Sequence, residues 1–179
     1  MKTKQLTHRT ALNRRHQAPL LANHGREKCY DLRMLKNRSV PTDVILPHVT
    51  YRDVAAAIAW LGEAFGFVEH YRYGDPVDGA QLHIGNAWIM VSRARAGSDS
   101  PAFCGVDTQS LTIFVEEVEK HFEKAKAAGA RIVEHLHETE YGELQFAALD
   151  CEGHHWLFSR HASDVSPEGW GATIAERQK

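Results

Sequence analysis

Two segments of this chain, offset by about 64 residues, read as copies of one unit, and that repeat constrains the fold more than any other feature. The first copy opens with the β-rich run VILPHVTY at residues 44–51 and passes to Asp53, a helix N-cap. Val54, Ile58, Leu61 and Phe65 then mark one face of a helix that ends near Gly66. The second copy opens with SLTIFV at 110–115 and continues with Glu116 and Glu117, acids suited to a helix start. Val118, Phe122 and Ala125 repeat the apolar spacing before Gly129 stops it. Glu116 and Lys120 stand one turn apart and are expected to pair. Three strand-like stretches follow each helix: 67–73, 79–84 and 87–92 in the first copy, and 131–137, 143–149 and 154–159 in the second. Gly85 and Asn86 form a tight hairpin turn, and Asp150, Cys151, Glu152 and Gly153 form the last turn.

The element order is therefore βαβββ twice, an α+β fold of two modules. Each four-stranded half has one face under its helix and another to cover, so the two sheets are expected to curl toward each other around a shared cavity. A cavity between duplicated halves is a natural small-molecule site. The expected organisation is an arm at 1–41, a duplicated domain at 42–172 and a tail at 173–179. Within the domain the first module covers 42–92, a linker 93–109 and the second module 110–160.

A chain of 179 residues suffices for one compact unit with a real core. No apolar run approaches the roughly 18 residues of a membrane-spanning helix, so no membrane partner is expected. Cys29, Cys104 and Cys151 form no CxxC pair, which argues against a disulfide framework or thiolate zinc site and makes a reducing cytoplasm the expected compartment. Residues 1–38 hold ten of the 21 Lys and Arg but only Glu27 and Asp31 of the 23 acids, so the arm is basic and the body acidic. The arm lacks periodicity and is read as mostly disordered. Two functional readings stand beside that one, a nucleic-acid or phosphate-binding arm and a transit peptide. Translation from Met34 is a further alternative.

The duplicated plan resembles the glyoxalase, bleomycin-resistance and extradiol-dioxygenase superfamily, also called vicinal oxygen chelate. The stretches that carry the likeness are YRDVAAAIAWLGEAFGF (51–67), FVEEVEKHFEKAKAAGARIVE (114–134) and YGELQFAALDCEGHHWLFS (141–159), with VSPEGWG (165–171) similar to a tail of its glyoxalase-like or PhnB-like branch. The resemblance implies a cavity that binds a small molecule and a homodimer, sometimes with exchanged strands. It also implies four metal-ligand positions, one on each of four strands. Counted from the helix starts, these fall on Leu46 and Ser110, and on the strands closing each copy on Met90 and Leu157. Aliphatic carbon and a neutral serine hydroxyl are not ligands for a hard divalent ion, so no metal and no cofactor is expected at the usual site. Leu144 also departs from the branch, which usually has Arg there.

Twelve histidines invite a metal, yet no HExxH or Cys/His zinc spacing occurs. His135 and His137 share a face of an edge-like strand on a period-2 reading and are candidates for metal with a third partner, or surface residues. Of His154 and His155, parity with Leu157 directs His155 to the cavity. His48, on the same strand face as Leu46, is the best candidate for chemistry, as a hydrogen-bonding group or base, although a core-edge histidine satisfied by backbone is the more ordinary reading. Trp88, Met90 and Ser92 alternate along one strand and face either the cavity or the core. Glu138, Glu140 and Glu143 read as a solvated acidic loop near Tyr141.

The leading expectation is a metal-independent protein that binds or sequesters an aromatic or cationic small molecule. The expected walls are Leu46, His48, Trp88, Met90, Ser110, Thr112, His155 and Leu157. The rival is a glyoxalase-type lyase or isomerase, or a dioxygenase, with a metal at a non-standard site such as His48 with His83 or His155. A regulatory protein using the arm on nucleic acid is the third reading.

Overall fold

The computed structural model describes residues 45–175, so the readings of the arm fall outside the described residues. The elements are β1 (His48–Tyr51), α1 (Val54–Phe65), β2 (Val68–Tyr73), β3 (Gly79–Ile84), β4 (Ala87–Arg93), α2 (Pro101–Cys104), β5 (Ser110–Phe114), α3 (Val118–Ala127), β6 (Arg131–Glu138), β7 (Glu143–Leu149) and β8 (His155–His161). A 3-10 turn at Pro167–Trp170 follows.

The repeat is realised as two four-stranded sheets of identical plan, ordered β1-β4-β3-β2 and β5-β8-β7-β6. In each, the first strand runs parallel to the last, and the other pairs are antiparallel. The helix connects the outer strands of its sheet because its apolar stripe has only that sheet's face to cover. Asp53 caps α1 by accepting from the Ala56 N–H at 3.0 Å, and Gly66 closes it at φ 77°, a left-handed conformation that glycine adopts without steric cost. Val54, Ala57, Ile58, Leu61, Ala64 and Phe65 form its buried side. Val118, Phe122 and Ala125 do the same for α3. The expected Glu116–Lys120 pair does not form, because Lys120 reaches Glu117 one position nearer. The connection between modules, read as loop, contains the short helix α2.

One core spans both modules. The Phe65 ring lies 5.8 Å from Trp156 and 4.9 Å from Phe158, and Phe67 lies 5.4 Å from Trp156, so the end of α1 is packed onto β8 of the other module. The helices α1 and α3 also touch. A buried polar joint adds to these contacts. Asp150 accepts from the Tyr51 hydroxyl at 2.6 Å and the Trp156 indole at 2.9 Å, and also from the backbone N–H groups of Glu152 and His154. Glu152 accepts from the backbone N–H groups of Arg52 and Asp53 and from the Ser100 hydroxyl at 2.5 Å. The β7–β8 turn therefore fastens the second module to the start of α1.

This joint corrects one expectation. The modules meet through their helix-bearing sides and this turn, while the opposite face of each sheet, the open face, carries no helix among the described residues, although its central Gln81, Ala147 and Ser159 are buried. The clefts beside Arg131 and Leu149, beside Thr112 and Phe114, beside Arg93 and Asp99, and beside His48 each take lining from at most one open face. The shared cavity is not closed within these residues.

Candidate functional site

Strand register places the side chains of each open face in rows, because directly paired residues point to the same side of a sheet. On the first sheet one row runs His48, Met90, Gln81, Tyr71. The neighbouring row runs Trp88, His83, Val68. On the second sheet the matching rows are Thr112, Leu157, Ala147, Glu134 and Ser110, His155, Leu149, Arg131. A third row there runs Phe114, Ser159, Gln145, His137.

Seven of the eight expected wall residues thus lie on the open faces, and Leu46 lies two residues before the start of β1. The structure brings His48 beside Met90, Ser110 beside His155, and Thr112 beside Leu157. It does not gather the two sets around one cavity. Met90 is buried at 9 % exposure, whereas His48, Ser110 and Thr112 are exposed. His48 lines a cleft of about 240 Å³ with Thr50, His154 and residues of the linker, which is held there by a Thr50–Ser98 hydroxyl contact of 3.1 Å. Of the adjacent histidines, His154 donates from Nε2 to the Thr50 carbonyl at 2.7 Å, and His155 takes the open face as parity required.

Several residues around these are not among the expected walls, His83 being expected only as a metal partner of His48 in the rival reading. On the first face the His83 ring stacks on Trp88 at 4.7 Å and 30°, and His70 meets the same indole edge-on at 5.4 Å. His70 Nδ1 donates to Gln81 Oε1 at 2.8 Å. Gln81 is 1 % exposed, and its amide and the Tyr71 hydroxyl both approach Met90 Sδ, at 3.7 and 3.8 Å. The result is a wall of imidazole and aromatic rings over a polar floor. His83 Nδ1 and His155 Nε2 are buried without a hydrogen-bond partner. Alternation within AQLHI at 80–84 marks Gln81 and His83 as one face; the bulge between Glu69 and Tyr71, which admits His70, leaves no such pattern.

The second wall is carboxylate-bearing. The Tyr141 hydroxyl donates to Gln145 Oε1 at 2.8 Å, and Gln145 Nε2 donates to Glu134 Oε1 at 3.2 Å. His137 Nε2 lies 3.1 Å from the same oxygen. Glu143 accepts from the Ser159 hydroxyl at 3.2 Å and contacts His161 at 3.3 Å, so it is no solvated loop acid. Hydrogen bonding to Glu143 and then to Asp164 raises the His161 imidazole above its ordinary range. The expectation that His135 and His137 share a face is also corrected. The register shifts between Glu134 and His137, leaving His137 on the open face while the His135 ring lies 6.1 Å from Phe122 of α3.

The residues at the four implied ligand positions do not fit a hard cation. Met90 offers a thioether, Leu157 and Leu46 offer hydrocarbon, and Ser110 a hydroxyl. Among the described residues no three His, Cys, Asp or Glu side chains converge into a set able to hold an ion.

Comparison with known proteins gives a consistent result. Residues 45–158 match the model of the Glyoxalase/Bleomycin resistance protein/Dioxygenase superfamily. An uncharacterized protein of Mycobacterium bovis is 28% identical over 145 residues, which cover 73% of this chain and 91% of the relative. Among solved structures, TioX from Micromonospora sp. ML1 is 29% identical with a TM-score of 0.56, over 69% of this chain and 100% of that one. FosX, a fosfomycin resistance protein of Listeria monocytogenes solved with Mn(II), superposes with a TM-score of 0.53 at 18% identity. That match covers 74% of this chain and 98% of FosX, and shows a common fold.

Proposed function

The chain belongs to the glyoxalase/bleomycin resistance protein/dioxygenase superfamily, and we propose that within it this protein binds or sequesters a small aromatic molecule on its open sheet faces without a metal. The observation that carries this reading is the occupancy of the strand-closing ligand positions by Met90 and Leu157, each at the centre of an open face. Around Met90 the surface is built to grip a ring. Trp88, His83, His70 and Tyr71 present π-faces and edges, and stacked or edge-to-face aromatic contacts contribute about 0.5–1.5 kcal/mol each beyond burial. His48 contributes a hydrogen-bonding edge beside Met90. A homodimer in the cytoplasm completes the reading, the second copy covering open faces that one chain leaves uncovered.

Calorimetry against a panel of aromatic compounds, with and without a chelator, tests this. A ligand is expected to bind equally well in the chelator and to lose about tenfold in affinity on Trp88→Ala. One equivalent of tightly held transition metal in protein purified without a histidine tag, lost on His48→Ala or His155→Ala, would sink the reading and establish the lyase or dioxygenase alternative.

A further inference from the structure

The duplicated modules have diverged at one matched place on their open faces. The row containing Met90 ends in Tyr71, and the equivalent row containing Leu157 ends in Glu134. The rows of the first face described above hold no Asp, Glu, Lys or Arg, whereas the second face holds a fixed carboxylate. We propose that Glu134 anchors a cationic amino group of a ligand whose ring is received by the Trp88 wall of a second copy, with that copy's first open face laid over this second one. This rests on the open faces being the ligand-binding surface of a homodimer, and it adds the charge of the ligand and the group that selects it.

The geometry that supports the assignment is a directed chain of hydrogen bonds. A tyrosine hydroxyl given to Gln145 Oε1 forces the Gln145 amide nitrogen toward Glu134. His137 Nε2 lies 3.1 Å from the same Oε1. Both fixing contacts fall on one oxygen, which leaves Oε2 with no partner among the described residues. The side chain is 40% exposed, so Oε2 is within reach of a ligand. Arg131 stands one row away and forms no ion pair with Glu134, so no permanent cation among the described residues neutralises it. A carboxylate held in this way recovers its desolvation cost from an ammonium group through a charge-assisted hydrogen bond, and recovers less from a neutral donor.

The test is a matched pair of probes, 2-naphthylmethylammonium and 2-naphthylmethanol, titrated calorimetrically into the full chain. The ammonium is expected to bind about tenfold more tightly than the alcohol. Glu134→Gln is expected to equalise the two, chiefly by weakening the ammonium. Gln145→Leu, which releases the carboxylate from its chain, is expected to reduce the preference severalfold, and it decides the matter alone should Glu134→Gln fail to fold. Equal binding of the two probes to the unaltered protein, or a preference that survives these substitutions, overturns the assignment and leaves the aromatic site standing. Binding of neither probe at millimolar concentration overturns the binding-site reading itself, and the anchor with it.

Discussion

His121 shows what burial does to a single titratable group in this core. Its ring lies 4.5 Å from Phe158, and its Nε2 is buried without a partner. Burial first, and the charge of Lys124 second, push the imidazole down to about 4. An unfolded histidine titrates near 6.5. Between these values the unfolded chain takes up a proton that the folded one refuses, so this site costs no stability above pH 6.5 and lowers stability progressively as pH falls toward 4. The urea midpoint is therefore expected to drop between pH 7.5 and pH 5, and to drop less in His121→Gln. An unchanged pH dependence in that variant would remove His121 as its source. The position was open to recognition beforehand, since 121 lies four residues before Ala125 and three after Val118 on the buried stripe, but the stripe is defined by its hydrocarbon members.

At the scale of elements, the two helices present a controlled comparison inside one molecule. Asp53 caps α1 with its side chain, while Glu117, at the same place before α3, makes no capping bond. The extra methylene carries its carboxylate out to Lys120 instead, in an exposed ion pair of little worth. Glu117→Asp is expected to supply the missing cap and raise stability by about 0.5–1 kcal/mol, read as a higher denaturant midpoint with unchanged slope. A lower midpoint would mean that the Lys120 pair outweighs the cap. Elements of this kind were largely legible from the chain. The β3 and β7 ranges agree with the expectation because turn residues bracket them, and α1 because Asp53 and Gly66 mark both ends. The irregularities were not. Bulges in β2 and β6 change which face a residue takes without altering the composition of the run, so His70 and His137 could not be placed by alternation.

For the molecule as a whole, the βαβββ repeat and the rows it produces were legible, while the mutual placement of the modules was not. Binary patterning says that each sheet has two faces to cover; it does not say which surface of one module meets which of the other. That choice is made by Asp150 and Glu152, which in sequence are ordinary turn residues and in the fold are buried acceptors for Tyr51, Trp156 and the start of α1. The same placement makes the core common property. Phe65 belongs to the first module, yet its ring touches Trp156 and Phe158 of the second and Trp60 of its own helix. Modules with separate cores would unfold separately, whereas a shared core couples them into one cooperative unit. Phe65→Ala is expected to cost about 3–5 kcal/mol and to do so for both modules at once. Hydrogen exchange followed by mass spectrometry reads this directly: amides of β7 and β8 should lose protection in parallel with those of β3 and β4. Loss confined to β3 and β4 would show two independent cores, and the joint at Asp150 would then be a surface contact between separately stable halves.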